Sequence, residues 1–335
     1  MSTTKTDKLK IGVVGCGSIA NTDHLPTLSN HENYVLKAVA DISDERLQKV
    51  KERFNIPATY NDYNELINKE DLDVLTVCTP GNLHYPVVMA ALNKGLHVMS
   101  EKPLATELSE AKEMWSLAQK NGHILGVGML YRGKTLTRRI KNHISNGDIG
   151  TLRTIRLITL SPGPMYGTKR REIHMNAEKG PIYDCGVHYF DLGRYLTDSE
   201  YDEIIARGIM VEGYKYPDHV IALAKFKNGV MGLIEESYIY GHRAKDRVNG
   251  NWRIEVEGSM GTISFDLENS RFIMRNDKVT LDEKMDWGKK PFPDIYTNFY
   301  EATKTGKYEH LASGDDGIKA MEAAEIALKS AMNNI

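Results

Sequence analysis

The sequence predicts two domains: an α/β domain on a doubly wound parallel sheet, then an α+β domain whose open sheet is mostly antiparallel. Three observations carry this. Residues 9 to about 129 alternate apolar strand-like runs with helical patterns, the order that builds a parallel sheet with crossover helices. Beyond about Thr135 strand-like runs follow one another, and Asn228-Gly229 between two of them is a hairpin turn signal. A length of 335 residues is about twice that of a typical domain. The expected division is 1–129 and 130–335.

In the first half the expected strands are 9–14, 34–40, 58–60, 74–78, 96–99 and 124–127, short apolar runs without helical periodicity. Helical patterns fill the gaps at 19–29, 44–53, 63–68, 84–93 and 107–119, and Gly95 and Gly122 stand where helix C-caps belong. In the second half a helix at 136–145 and a strand at 151–160 lead into a long polar loop reaching Gly180. A helix at 187–196 follows, then strands at 204–211, 220–226, 230–238, 252–257 and 262–266, and a last helix at 317–332. Alternating strands joined by hairpins give the antiparallel sheet.

Composition limits the function. The 43 Lys and Arg against 45 Asp and Glu give a net charge of −2, no electrostatic footprint for nucleic acid or an anionic membrane. The first residues hold no apolar signal segment and no stretch suits a bilayer span, so a cytoplasmic protein is expected. Cys16, Cys78 and Cys185 form no Cys-x-x-Cys pair, so neither a disulfide framework nor a metal site is expected.

The first strand-like run ends in Gly15-Cys16-Gly17-Ser18-Ile19-Ala20. Gly15, Gly17 and Ala20 match the dinucleotide fingerprint, whose small residues permit a tight turn, close approach to a pyrophosphate and close strand–helix packing. The N–H groups of Ser18 and Ile19, opening the helix, would hold the phosphates. Asp41, at the end of the second strand, stands where the fingerprint places a carboxylate for the ribose hydroxyls, which favours NAD over NADP. Its other reading is a cap for the helix beginning near Ser43.

Thr79-Pro80-Gly81-Asn82-Leu83-His84 and Glu101-Lys102-Pro103 follow the fourth and fifth strands, at the sheet edge where ligands bind. Pro103 restricts Lys102 to an extended backbone and so directs its side chain; an exposed turn lysine would look the same. Asn82 reads either as a cofactor contact or as a helix cap, and His84 either as a cofactor contact or as packing. In the second half Asp184, His188, Asp191 and Tyr195 fall at i, i+4, i+7 and i+11, one helix face beside an apolar stripe of Cys185, Tyr189, Leu192 and Leu196. A histidine near a carboxylate suits proton transfer near neutral pH; helix cap and structural histidine are the alternatives.

These residues resemble the superfamily of glucose–fructose oxidoreductase, inositol dehydrogenase and MocA over nearly the whole length. The order of motifs is Gly15-x-Gly17-x-x-Ala20, His24, Asp41, Thr79-Pro80-x-Asn82-x-His84, Glu101-Lys102-Pro103, Gly128 to Arg132, Asp184-x-x-x-His188, Gly258-x-x-Gly261 and an Ala-rich last helix. The resemblance implies a Rossmann domain with NAD as cofactor and Lys102, Asp184 and His188 as a catalytic trio. Glu101 and Arg132 would lie around the nicotinamide. It implies hydride transfer between nicotinamide and a secondary alcohol of a sugar, glycoside or inositol, with His188 moving the proton and Lys102 stabilising the oxygen. The alternative is a redox-neutral enzyme that oxidises a glycoside transiently and eliminates its aglycone with the same residues. A homodimer or homotetramer is also implied.

The loop 161–179 would shape the substrate pocket, with Tyr166, Arg171 and His174 as candidate contacts; a solvated loop tip is the plainer reading of its basic run. Tyr238 and Tyr240 would either stack on a sugar or fill the core. Two departures from the family pattern are visible: Lys179-Gly180-Pro181 replaces a glycine run, and Thr135 stands where a proline often follows the arginine.

Overall fold

The structure, a computed structural model, describes residues 8–164, 167–176, 178–246 and 249–333. Tyr166 therefore lies outside the described residues. The chain divides into two compact units, one of residues up to Gly133 with Lys290–Ile318, the other of Lys134–Lys289 with the residues from Lys319 onward.

In the first unit β1 (Leu9–Val14), β2 (Tyr34–Ala40), β3 (Ala58–Tyr60), β4 (Val74–Val77), β5 (His97–Ser100) and β6 (Leu125–Val127) are parallel, in the order β6-β5-β4-β1-β2-β3. The chain winds outward from β1 to β3 and then returns to the other side of β1 with β4. That reversal opens a crevice at the carboxyl ends of β1 and β4, where ligands of such sheets bind. Ile11, Val13 and Val14 in β1 and Val74, Leu75 and Val77 in β4 are all buried. A fully buried aliphatic side chain of this kind contributes about 1.5–3 kcal/mol. Gly95 and Gly122, at φ 89° and 68°, close the helices His84–Lys94 and Leu108–Asn121 in the left-handed conformation expected of them.

The division differs from the expected one in that residues 290–318 return to the first unit. The helix Phe292–Thr305 places Phe292, Ile295, Tyr296 and Phe299 at i, i+3, i+4 and i+7 in the buried interior. Gly126 in β6 makes room for it, since a Cβ there would lie 3.0 Å from the Phe299 ring. The short strand Ala312–Ser313 then adds antiparallel to β6.

In the second unit β7 (Leu152–Leu160), β8 (Tyr201–Ile209), β9 (His219–Phe226), β10 (Met231–Ser237), β11 (Asn251–Gly258), β12 (Gly261–Asp266), β13 (Arg271–Asn276) and β14 (Thr280–Lys284) form a sheet in the order β14-β13-β12-β11-β7-β10-β9-β8. Its pairings are antiparallel except that of β7 with β10. One face is buried under the helix Gly186–Thr197, which packs on β7 and β10. The alternation is plain in β9: Val220, Ala222, Ala224 and Phe226 are buried, whereas Ile221 and Leu223 between them are 38% and 56% exposed. β13, β14 and the helix Lys169–Asn176, inside the expected loop, were not anticipated from the sequence. Among the described residues no helix is long and apolar enough to cross a membrane, and no cluster of three or more His, Cys, Asp or Glu is placed to hold a metal ion.

Candidate active site

At the end of β1 the chain turns at Gly15 with φ +93°, and a Cβ there would lie 2.7 Å from the Cys78 carbonyl group. Only glycine accepts both the angle and that approach. Gly17 differs: a Cβ on it would meet nothing within 4 Å. The protein thus has no need of glycine at 17, and the open space above its backbone is the cradle a pyrophosphate requires. Ser18 and Ile19 open the helix that follows, which contains a π turn at Ala20–His24 before Leu25–Leu28. Asp41 accepts the Cys16 N–H at 2.7 Å through one oxygen and the Ser43 N–H at 2.9 Å through the other. Ser43 itself caps the helix Asp44–Phe54 by accepting the Arg46 N–H. Asp41 therefore braces the glycine loop, and each oxygen retains acceptor capacity for a ribose hydroxyl.

The loop after β4 leaves Pro80 and Asn82 exposed and Thr79 half-buried, with the Thr79 Oγ1 lacking a hydrogen-bond partner in the protein. His84 is displaced from the role of cofactor contact. It is wholly buried, and its Nδ1 and Nε2 each lie 2.8 Å from a carbonyl oxygen, of Pro103 and of Thr79. Both ring nitrogens face carbonyl oxygens of the β4 and β5 loops, one donating when the imidazole is neutral and both when it is protonated. Burial pushes the His84 pKa down, while the two carbonyls and Glu101 oppose that shift.

Because β1, β4 and β5 are parallel, Lys102 emerges at the same sheet edge as Gly15 and Thr79. A buried chain of contacts fixes its backbone. Thr76 Oγ1 lies 3.0 Å from the Tyr296 hydroxyl, which is 2.7 Å from His24 Nδ1; His24 Nε2 lies 2.9 Å from Glu101 Oε1. Glu101 Oε2 then accepts the Lys102 N–H at 3.2 Å. With a neutral imidazole, His24 donates through Nε2 to the carboxylate and accepts the Tyr296 proton at Nδ1. Burial holds the Tyr296 phenol well above its ordinary pKa and so keeps that proton in place. Gly128 leaves the space for Glu101, since a Cβ on it would come within 3.1 Å of Oε1. Arg132 is buried against Asp316 at 2.9 Å.

In the second unit the expected single helix is broken at Cys185, into a turn Pro181–Asp184 and the helix Gly186–Thr197. His188 lies in the first turn of that helix, buried, and Asp184 ends the preceding turn. The stripe of four polar residues is therefore not continuous. Asp191 is buried 3.6 Å from Arg194, and Tyr195 lies near Lys141. The Tyr238 hydroxyl donates to Asp184 Oδ2; burial and that carboxylate keep the phenol protonated, far above its usual pKa. His174 Nδ1 is 3.1 Å from the same oxygen. Asp184 is thus held by a phenol from the end of β10, with the His174 imidazole close to both Asp184 and Glu178.

Arg171 is corrected from substrate contact to internal strut. It is completely buried, donating to the carbonyls of Pro162 at 2.9 Å, Pro164 at 3.1 Å and Tyr238 at 3.0 Å, with Asp218 at 3.7 Å. Arg171→Met should therefore lower stability by about 3–5 kcal/mol, by leaving three carbonyls without their donor and removing the cation beside the buried Asp218, measured as a shift in the urea midpoint. Lys179 and Gly180 both have positive φ, 59° and 71°, which explains why glycines suit these positions. Here Lys179 meets the strain with an ion pair to Glu325 and a stacked contact over Tyr183.

The model of the GFO/IDH/MocA oxidoreductase family with NAD-binding Rossmann fold matches residues 9–129. That of the GFO/IDH/MocA C-terminal domain matches residues 137–264. The chain belongs to this family. Myo-inositol 2-dehydrogenase of Thermotoga maritima is 28% identical, with 96% of each chain covered. D-glucoside 3-dehydrogenase of Escherichia coli is 28% identical over 56% of this chain and 54% of that one. Among solved structures, a probable dehydrogenase from Thermotoga maritima superposes with TM-score 0.81 at 27% identity, 97% of both chains covered. As a GFO/IDH/MocA oxidoreductase the chain takes NAD, and the open cradle over Gly17, the braced Asp41 and the unpartnered Thr79 hydroxyl fit that group. One supporting residue, Tyr296, escaped the sequence reading, and Tyr238 was read without its contact to Asp184. Tyr296 had a legible signal in the helical spacing of its apolar neighbours; the role of Tyr238 had none, because its partner is 54 residues away.

Proposed function

We propose that this oxidoreductase is an NAD-dependent dehydrogenase acting on a secondary alcohol of a sugar, glycoside or inositol. The buried chain Thr76–Tyr296–His24–Glu101 carries the reading, because it spends four polar groups on fixing the backbone of one lysine at the cofactor edge of the sheet. When bound, NAD supplies the hydride acceptor at its nicotinamide ring. Gly15, Gly17, Ser18 and Ile19 hold the pyrophosphate, Asp41 the ribose hydroxyls, and Thr79, Pro80, Asn82, Glu101 and Arg132 the nicotinamide end. His188 takes the hydroxyl proton, and Lys102 donates a hydrogen bond to the same oxygen as negative charge develops on it. Asp184, held by Tyr238, orients His188 or binds a neighbouring hydroxyl.

The test mixes the protein and NAD with inositols, free hexoses and glycosides and follows reduced nicotinamide. Reduction that is lost in Lys102→Ala supports the reading. A flat trace with every compound, the protein holding NAD throughout, refutes net dehydrogenation. Asp41→Ala should raise KM for NAD roughly 10- to 100-fold, as expected for a lost hydrogen bond to a charged group, and narrow the preference for NAD over NADP.

The exposed face of the second sheet carries Ile205, Ile221, Leu223 and Met231, between 38% and 56% exposed, on neighbouring strands. Soluble monomers rarely leave such a patch bare. We assign it to self-association, to be read by light scattering as a dimer or tetramer; a monomer at micromolar concentration would exclude it.

A further inference from the structure

A cavity of about 660 Å³ opens in the second unit, lined among others by Ser161, Gly163, Tyr240, Asn251, Trp252 and Glu268. That volume lies in the range of small-molecule sites. We propose that it is a carbohydrate subsite that takes a second ring of the substrate, so that the preferred substrates are glycosides of two or more rings. The inference rests on the dehydrogenase reading and names its substrate class.

The wall has the chemistry of a polyhydroxylated ring. A pyranose offers apolar C–H faces and a rim of hydroxyls. The half-buried Trp252 and Tyr240 supply aromatic surface for the faces. The indole is held in place: it stacks on Trp287 at 6.4 Å and 24°, and Gly250 lets it lie close, since a Cβ there would come within 2.8 Å of its ring. For the rim, Asn251 is buried and its Nδ2 donates to Glu268 Oε2 at 3.1 Å, which orients an exposed carboxylate that still accepts hydroxyl protons. Ser161 Oγ accepts the Gly163 N–H at 3.0 Å, leaving its own proton to donate.

The cavity also lies one ring from the chemistry. Gly163 in its wall packs on the Tyr238 ring, whose Cγ would be 2.6 Å from a Cβ at 163. The hydroxyl at the far end of that ring donates to Asp184. On this proposal a substrate whose reacting ring meets Asp184 would extend its next ring past Tyr238 toward the cavity.

Calorimetry on the protein saturated with NAD tests this, using myo-inositol and glucose as single rings and maltose and cellobiose as double rings. At least one disaccharide should bind more tightly than both single rings. Trp252→Ala and Glu268→Gln should each weaken that disaccharide by roughly tenfold, the size expected of one aromatic or hydrogen-bonded contact, and leave single rings unchanged. Glu268 is exposed, so its variant keeps the test valid if the tryptophan variant fails to fold. Equal affinity for one and two rings, or equal losses for both in the Glu268 variant, overturns the subsite. The readout needs no turnover. Selective disaccharide binding without NAD reduction would fail the dehydrogenase reading alone, and NAD reduction with ring-independent affinity would fail the subsite alone.

Discussion

Gly17→Ala is expected to leave the fold intact while removing most NAD binding, and Gly15→Val to cost both. The two glycines lie two residues apart in one turn, yet the surroundings of a new Cβ differ completely. At Gly15 a side chain meets the Cys78–Thr79 backbone at 2.7–2.8 Å, and φ is +93°. Left-handed backbone alone costs a non-glycine residue about 1–2 kcal/mol, and main chain cannot swing aside as a side chain can. The crevice between β1 and β4 would have to part, so the apo melting temperature should fall. At Gly17 nothing stands within 4 Å, so the apo protein should melt at its ordinary temperature. The methyl would instead occupy the space over the turn that a pyrophosphate needs for contact with backbone N–H groups. The measurement is the melting temperature of each variant with and without NAD. Wild type should gain several degrees from saturating NAD and Gly17→Ala almost none, since binding to the folded state alone is what raises it. A Gly17→Ala variant that retains the full NAD shift would remove the cradle from the binding site.

The same contrast explains what was legible in the sequence. The cap glycines 95 and 122 act through their own backbone, and the glycine turn and Asp41 stand at the spacing of a known fingerprint, so spacing announces them. The strands of the first unit are short apolar runs buried on both faces, and those of the second alternate with period two; both patterns are local. His84 and Arg171 are different. Their residue types suggested ligand contacts, but their partners are carbonyl oxygens of Thr79 and Pro103, and of Pro162, Pro164 and Tyr238. Every residue carries a carbonyl, so no sequence pattern marks those chosen as acceptors. The helix Phe292–Thr305 was not anticipated, although its apolar spacing is helical and a proline stands in its first turn. Proline in a first helical turn costs nothing, because that N–H has no acceptor there. Its return to the first unit was not readable, since it depends on Tyr296 reaching His24 across 272 residues.

His188→Ala is expected to lower kcat by about 10²–10⁴, the usual worth of a positioned general base, with little change in the affinity for NAD. The residue is buried at the start of the helix Gly186–Thr197, in the unit that does not contain the dinucleotide turn. Cofactor affinity and proton transfer should therefore separate. Tyr238→Phe sharpens the argument. It removes only the hydroxyl that donates to Asp184 and leaves the ring against Gly163. If Asp184 orients His188, the phenylalanine variant should lower kcat with KM for the alcohol nearly constant, and displace the acidic limb of the pH–rate profile, where the base becomes protonated. If Asp184 binds a neighbouring substrate hydroxyl, the same variant should raise KM and leave that limb in place. A His188→Ala enzyme with unchanged kcat would reassign the proton transfer altogether. Lys102 would not inherit it, because its proposed work is to donate a hydrogen bond to the developing alkoxide, and a lysine that had accepted the substrate's proton would have had to be neutral beforehand.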